Sequence, residues 1–516
     1  ASAARCTAGA VQEYILWSQI NAFLRKNASV VSSTHGPAHR KRAALESFKA
    51  GERSCKRANR RLSWYFAHQS RHRLAPLMEL AALKLQSVLP RVADVYDEIL
   101  DHCSFGPGTT TASKSFEEKS LYFKISSHQT MTRGCRQILL HYAQRNPRWF
   151  QQHTGVRVES TTADRVTFVP KNYKTDRTIT VQPSINIFLQ KGIEWALSCV
   201  CRKVGITLAD QTRNGELARL ASLFSGHCTL DLKGASDSIC IELLRWLLPP
   251  DWFALLYSVR PECHIDPITK QACPTHKYAG MGNATTFPVE SLVFWALLQA
   301  CRDVCGDRSA WRVYGDDIIC HRAVVLQLVE LLRFAGFRTN IEKSFFFGSF
   351  YESCGYDFLQ GLKVTPLYIR ATPKTPSAVY NLYNRLLQHD FFSFPRTLRY
   401  LKSLVLNPHH GPWHKSRREL GWWQAGFNPE LDAYFISDPP ESGGRWDHDT
   451  QSHVYTFTKL VEGYKRRTGV EKQLLFSLAL LGERVDWDQC SIADLGRPFI
   501  GSAKDETRVW PRLRDV

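Results

Sequence analysis

The sequence predicts an α+β fold in which an antiparallel sheet is backed by helices. Three observations carry this. Cys228–Leu232 alternates like a half-buried strand and runs into a helix-spaced apolar stretch. Arg312–Cys320 sets two short apolar arms around Gly315-Asp316, and amphipathic segments lie before and after it. A layer of this kind holds carboxylates from different strands close together.

The elements follow in chain order. Residues 1–100 read as mostly helical, with a basic and aromatic stretch through Arg53, Lys56, Arg57, Arg60, Arg61, Trp64, Tyr65, Arg71 and Arg73. Positive charge beside aromatic rings suits a nucleic-acid backbone and its bases, and Arg57, Arg60 and Arg61 are the RNA contacts expected here. The alternative is a solvated helix face with Trp64 in the core. Ile239–Leu248 has helical spacing and stops at Pro249-Pro250. A further helix is expected from about Pro288 through Leu298, just after Gly280-Met281-Gly282-Asn283, which reads as a flexible loop. Arg312–Cys320 reads as a tight hairpin with acids at its tip. The helix 324–335 packs through Leu328, Val329, Leu331 and Leu332 and ends at Gly336. No repeat or low-complexity stretch interrupts the chain.

Composition narrows the function classes. Hydrophobic residues make up 44% and charged residues 22% of 516, which excludes a disordered or coiled-coil chain. Lys plus Arg (67) less Asp plus Glu (48) leaves +19, so a polyanionic partner is expected, nucleic acid first and an anionic membrane surface second. Apolar runs such as Leu474–Leu481 fall far short of the ~20 residues a spanning helix needs, so no membrane role is expected. The start, Ala-Ser-Ala-Ala-Arg-Cys, has no apolar run of the secretory kind. Fifteen cysteines without a C-x-x-C pair suit reduced, mostly buried thiols in a cytosol.

The chemistry is expected at three acids. Two divalent ions ~3.5–4 Å apart need carboxylates from more than one strand, and Asp231, Asp316 and Asp317 meet that need if Asp231 lies within about 10 Å of the hairpin. Strand alternation would send Asp316 and Asp317 to opposite faces, but a tight turn lets both approach one site, with Asp316 the weightier bridging ligand. Mg2+ is the expected metal, as two ions, with Mn2+ able to substitute. Such a pair supports nucleotidyl transfer to a ribose 3'-hydroxyl. Val169–Arg177 places Lys171, Lys174 and Arg177 on a turn-rich loop suited to a triphosphate.

With these residues assembled, the sequence resembles the RNA-directed RNA polymerases (replicase catalytic subunits) of single-stranded RNA bacteriophages, the levivirus group. The resemblance is strongest from about Cys103 to Arg370. It rests on Phe105-Gly106-Pro107-Gly108, Val169-Pro170-Lys171-Asn172 with Lys174-Thr175-Asp176-Arg177, and Leu189-Gln190-Lys191-Gly192. It rests further on Asp231-Leu232 with Ala235-Ser236-Asp237-Ser238, Met281-Gly282-Asn283, Glu290-Ser291-Leu292, Tyr314-Gly315-Asp316-Asp317-Ile318-Ile319-Cys320 and Glu352-Ser353-Cys354-Gly355.

The resemblance implies a right-hand polymerase of fingers, palm and thumb. Residues 1–100 would be a helical part of the fingers and 101–226 the fingers with their nucleotide-entry loop. The palm would span 227–370, with a fingers insertion near 255–280, and 371–516 would form the thumb and C-terminal region. It implies Asp231, Asp316 and Asp317 as metal ligands with the Leu232 carbonyl nearby, and Lys343 as general acid for pyrophosphate departure. Asp237 and Asn283 would sense the ribose 2'-hydroxyl, with Ser236 a further nucleotide contact, although Asp237 also suits a helix N-cap. Gly282, Tyr314, Gly315 and Ser353 would meet RNA, the turn at Phe350–Gly355 gripping the product end. The implied substrates are a single-stranded RNA template and ribonucleoside triphosphates, with initiation independent of a primer. The implied partners are host elongation factors Tu and Ts and a ribosomal protein, in the cytoplasm of an infected bacterium. Lys233-Gly234, Ala284, Pro288 and Gln182 depart from the family pattern. The aromatic residues Tyr400, Trp413, Trp422, Trp423 and Trp446, beside Arg417 and Arg418, are expected mostly in core packing. A reverse transcriptase and a non-catalytic RNA-binding protein are the competing readings.

Overall fold

A computed structural model describes residues 8–26, 36–68, 72–106, 108–113, 124, 128–147, 158–224, 226–369, 373–387, 394–411, 434–436, 445–447, 452–465 and 497–509. The chain is α+β and divides into two compact units. One comprises Ala1–Val11, Ser32–Thr365 and Gly469–Asp494; the other comprises Gln12–Val31, Pro366–Thr468 and Leu495–Val516.

The first unit is organised around a three-stranded antiparallel sheet in the order His227–Leu230, Asp317–His321, Arg312–Tyr314. Its register pairs Leu230 with Ile318 and Tyr314 with Asp317. One face, through Cys228, Leu230, Ile318 and Cys320, joins the core built by the helices Thr286–Val304 and Arg322–Ala335. The other face is covered too, because Ile319 packs with Leu217, Ala218 and Ala221 of the helix Thr212–Phe224. Burial on both faces explains why Ile318-Ile319-Cys320 is continuously apolar rather than alternating.

The helix Arg322–Ala335 ends where Gly336 adopts φ 113°, and Phe337 N–H donates back to the Leu332 carbonyl. The helix Ile241–Leu247 is capped by Leu248 just before Pro249-Pro250, and Pro250 opens the next one, Pro250–Ser258. A second sheet, of four strands, pairs Asp176–Val181 with Ala163–Pro170, then Cys263–Ile265 and Ala272–Pro274. The N-terminal segment is helical as read, including the long helix Pro37–Ala67. Trp64 is 54% exposed, so its place in a core is not upheld. The thirteen cysteines among the described residues are all free thiols.

The second unit has a small core of Leu367, Val379, Tyr380, Tyr383, Leu386, Leu401, Val405 and Phe435. Gln19 closes on Leu367 with two backbone hydrogen bonds of 2.8 Å, one donated by its amide and one accepted. Strands Ser452–Lys465 and Arg497–Val509 pair antiparallel along their length. Tyr400 is 63% exposed, against the packing expected of it. Trp413, Arg417, Arg418, Trp422 and Trp423 lie outside the described residues, as does Arg71.

Candidate active site

The sheet register brings the three acids together. Asp231 follows Leu230, whose partner is Ile318, so it stands beside Asp317 at the next position along the pair. Neighbouring residues of an antiparallel pair are about 5 Å apart, well inside the limit that two-metal chemistry sets. Gly315 and Asp316 form the two-residue hairpin turn, with Gly315 at φ 56°. A Cβ at Gly315 would lie 2.7 Å from the Phe287 ring, and the Gly315 N–H donates to the Ser291 hydroxyl at 3.0 Å. Asp231 is held by Asn340, whose side-chain amide donates to its carboxylate at 2.5 Å and whose backbone N–H donates to its carbonyl. Leu232 is buried and bridges to Thr339.

The acids crowd one another electrostatically. Burial, reinforced by Asp316, pushes the Asp317 carboxyl up to about 7, against a backbone hydrogen bond from Cys354. That donor sits in a strained turn, since Cys354 has φ 52° and Gly355 has φ 76°. Asp316 is raised by burial and by Asp231. Lys343, in the turn Ile341–Lys343, lies 3.9 Å from Glu352. Burial pulls its ammonium down, but Glu352, Asp231, Asp317 and Asp316 together hold it above its ordinary value. Lys171 is lowered by desolvation, Arg177 and Lys343, and pulled the other way by Asp316 and Asp231. Two lysines from distant segments thus feel the same acids. Among the described residues no three His, Cys, Asp or Glu side chains already stand as a metal-holding group. Carboxylate oxygens are nevertheless the hard ligands that suit Mg2+, and a bound cation would offset both the burial and the mutual repulsion that raise Asp316 and Asp317.

Lys171, Lys174 and Arg177 belong to the hairpin joining Ala163–Pro170 to Asp176–Val181. Asn172 shapes its loop, its side-chain oxygen accepting from the N–H groups of Lys174 and Thr175. Arg40 anchors the hairpin through Asp176 at 3.2 Å. All three cations are exposed.

The Gly280–Asn283 loop is packed, not flexible. Thr180 N–H donates to the Met281 carbonyl at 2.6 Å, and a Cβ on Gly282, at φ 121°, would lie 2.2 Å from the Thr180 carbonyl oxygen. Asn283 accepts from the Thr285 N–H and hydroxyl through its side-chain oxygen, while its amide nitrogen is buried with no hydrogen-bond partner. Asp237 lies within the turn Ser236–Ser238, and its carboxylate takes the Lys277 ammonium at 2.6 Å. It caps no helix: the residue before Ile241–Leu247 is Cys240, so the N-cap expectation fails. Ser236 opens the same turn and is half-buried.

The expected RNA contacts divide. Arg57 and Arg60 are exposed. Arg61 donates to the Phe334 carbonyl at 2.6 Å, at the end of the helix Arg322–Ala335, and so has a structural partner. Ser353 is 1% exposed and sits 3.3 Å from the Asn214 amide, so its side chain does not face an RNA path. The Tyr314 hydroxyl accepts from Gln211 at 3.1 Å. Sequence reasoning missed Lys277, Glu52 and Asn340, and gave no individual role to Cys354 or Glu290, which it met only within family-like strings; Glu290 is buried with Asp316, Asp237 and Asp317 near, its carboxyl raised first by burial.

A family model described as RNA replicase, beta-chain, matches residues 12–404. The RNA-directed RNA polymerase subunit beta of Enterobacteria phage SP is 33% identical over 400 residues, 74% of this chain and 66% of that protein. The protein of the same name from Escherichia virus Qbeta is 36% identical over 352 residues, 66% of this chain and 57% of its own. The chain therefore spans less than two-thirds of the length of these relatives. Among solved structures, the RNA-dependent RNA polymerase of BmCPV at elongation state aligns with a TM-score of 0.40 at 12% identity, over 64% of this chain and 32% of that one, a likeness too distant to carry an argument.

Proposed function

Because the chain belongs to the RNA replicase beta-chain family, we propose that it is the RNA-directed RNA polymerase of a single-stranded RNA bacteriophage, joining ribonucleotides on an RNA template. One observation carries this reading: the strand register that sets Asp231 beside the Gly315-Asp316 turn, with Lys171 and Lys343 acting on the same acids. In polymerase terms the three-stranded sheet is the palm, the hairpin bearing Lys171 belongs to the fingers, and the second unit supplies the thumb.

Asp231, Asp316 and Asp317 would hold two Mg2+ ions. When bound, these would activate the 3'-hydroxyl and stabilise charge on the α-phosphate and the departing pyrophosphate. The register already sets Asp231 beside Asp317, and side-chain rotation would close the group. Lys171, Lys174 and Arg177 bind the triphosphate as cations on an exposed hairpin. Lys343, kept protonated by four carboxylates, has a proton to give to the leaving pyrophosphate. The free amide of Asn283 offers a donor to a ribose hydroxyl, and Asp237 an acceptor. Arg57 and Arg60 contribute to an RNA path. Initiation without a primer, association with elongation factors Tu and Ts and a ribosomal protein, and action in the cytoplasm of the infected cell complete the reading.

The test is synthesis by the purified full chain, given an RNA template, four ribonucleoside triphosphates and Mg2+, with and without host extract. Template-dependent product that disappears in Asp316→Asn is expected. RNA binding without synthesis in either condition would favour a non-catalytic binding protein, and synthesis surviving in Asp316→Asn would overturn the site.

A further inference from the structure

We propose that the dipeptide Lys277-Tyr278 is the positioning element of ribose recognition, fixing Asp237 with one side chain and orienting Asn283 with the next. The inference rests on the polymerase reading above and deepens it. Lys277 is 0% exposed, yet it is a charged residue. Its ammonium lies 2.6 Å from Asp237 and 3.6 Å from Glu52, with its face partner the Phe48 ring at 3.5 Å. A buried ammonium costs desolvation energy unless it is paired, and here the pairing is with a carboxylate that remains partly open to solvent. One Asp237 oxygen is thereby committed; the other has no protein hydrogen-bond partner among the described residues.

The backbone around Asp237 is clasped as well. The Cys55 thiol meets the Asp237 carbonyl at 3.4 Å, and a Cβ at Gly51 would come within 3.2 Å of the same oxygen. Glu52 in turn accepts from the His276 N–H at 2.7 Å. The helix Pro37–Ala67 therefore presents a solvated basic face and, on its buried side, a brace for Asp237.

Tyr278 governs the second residue. Its hydroxyl is 2.6 Å from the Thr285 hydroxyl, which donates to the Asn283 side-chain oxygen at 2.7 Å. The Thr285 proton is committed to Asn283, so Tyr278 must be the donor to Thr285. The relay has one direction. It spends the carbonyl end of Asn283 and leaves the amide nitrogen, buried and unpartnered, to face a ligand acceptor. Two adjacent residues thus hold an acceptor and a donor in place, which is what reading a hydroxyl requires.

The test measures kcat/KM for each ribonucleotide and its 2'-deoxy counterpart on one RNA template, using the full chain. Tyr278→Phe, which removes one oxygen, and Lys277→Met should each lower the ribo-to-deoxy ratio about tenfold, the worth of one hydrogen bond, with the loss falling on the ribonucleotide. Lys277→Arg should restore part of it. Adding Lys277→Met to Asp237→Asn should change the ratio no further, because the two act as one unit. If Lys277→Met does not fold, Tyr278→Phe and the double variant, which leaves no unpaired Asp237 charge, decide the matter. A wild-type ratio that survives both side-chain changes, with ribo and deoxy rates falling equally, would overturn the inference and leave the polymerase reading intact. A wild type that makes product without ribose preference would likewise overturn the inference alone, whereas a wild type that makes none would overturn both.

Discussion

Asp237 and Asp317 are carboxylates of one candidate site in opposite surroundings. Asp237 has the Lys277 ammonium at 2.6 Å. Asp317 is raised by burial and then by Asp316, with Glu352 and Asp231 adding to it, against a backbone N–H from Cys354 and the attraction it shares with Lys343. The first charge is paired within the fold, which suits the fixed acceptor proposed for it. The second has no ion pair of its own, which suits the cation ligand proposed for it.

The largest effect should separate the two directly. Asp316→Asn, in the same acid group as Asp317, should lower RNA synthesis by roughly 10²–10³-fold or more while leaving RNA retention on a filter unchanged. If instead it costs no more than Lys277→Met, the division between ligand and fixed acceptor collapses.

Glycine substitutions sharpen the same contrast through the backbone. Gly315→Ala forces a side chain into φ 56° against the Phe287 ring, which can turn, and should cost about 1–2 kcal/mol in denaturant unfolding. Gly282→Ala meets the Thr180 carbonyl, which is tied into the hairpin of Ala163–Pro170 and Asp176–Val181 and cannot, and should cost more.

Acidity gives a third separation. Asp317 and Asp164 are both pushed up to about 7 by burial. Between their unfolded value near 3.8 and 7 the native state binds more protons than the unfolded one, so the stability they contribute is full below that window and is lost as pH rises through 7. Mg2+ should restore the Asp317 share at pH 8. It should not restore the Asp164 share, which lies with Gln182 at 3.0 Å. Thermal unfolding at pH 5 and pH 8, with and without Mg2+, in wild type and Asp164→Asn, reads both; an Mg2+ effect unchanged in Asp317→Asn would remove the distinction.

What was legible in the sequence was local. Gly315 between apolar arms specifies a two-residue turn, and a two-residue turn puts Asp316 and Asp317 at a tip whatever the rest of the chain does. Asp231 was legible because a strand pattern ends on it. The brace was not: Glu52 and Lys277 are 225 positions apart, and neither has a neighbour pattern that announces a buried charge. The second face of the sheet was hidden for a related reason, since Leu217, Ala218 and Ala221 offer only a short apolar stripe whose partner, Ile319, is fixed by tertiary packing. Gly280–Asn283 read as flexible because glycines permit motion, whereas here they permit close approach to Thr180.

The smallest effects concern the basic helix. Arg57→Gln and Arg60→Gln should each reduce the salt slope of RNA binding by about 1. Arg61→Gln should leave the slope unchanged and lower stability by about 1 kcal/mol, since its hydrogen bond goes to Phe334. All three are exposed, and equal slopes would erase the difference between Arg57 and Arg60 and the committed Arg61.

The most direct measurement is Mn2+ titrated into the purified full chain at pH 7 and followed by electron paramagnetic resonance, in wild type, Asp231→Asn and Asp316→Asn. Saturable binding by the wild type that is lost in both folded variants is the result expected of one site shared between strand and hairpin. Binding of equal affinity in all three would contradict it.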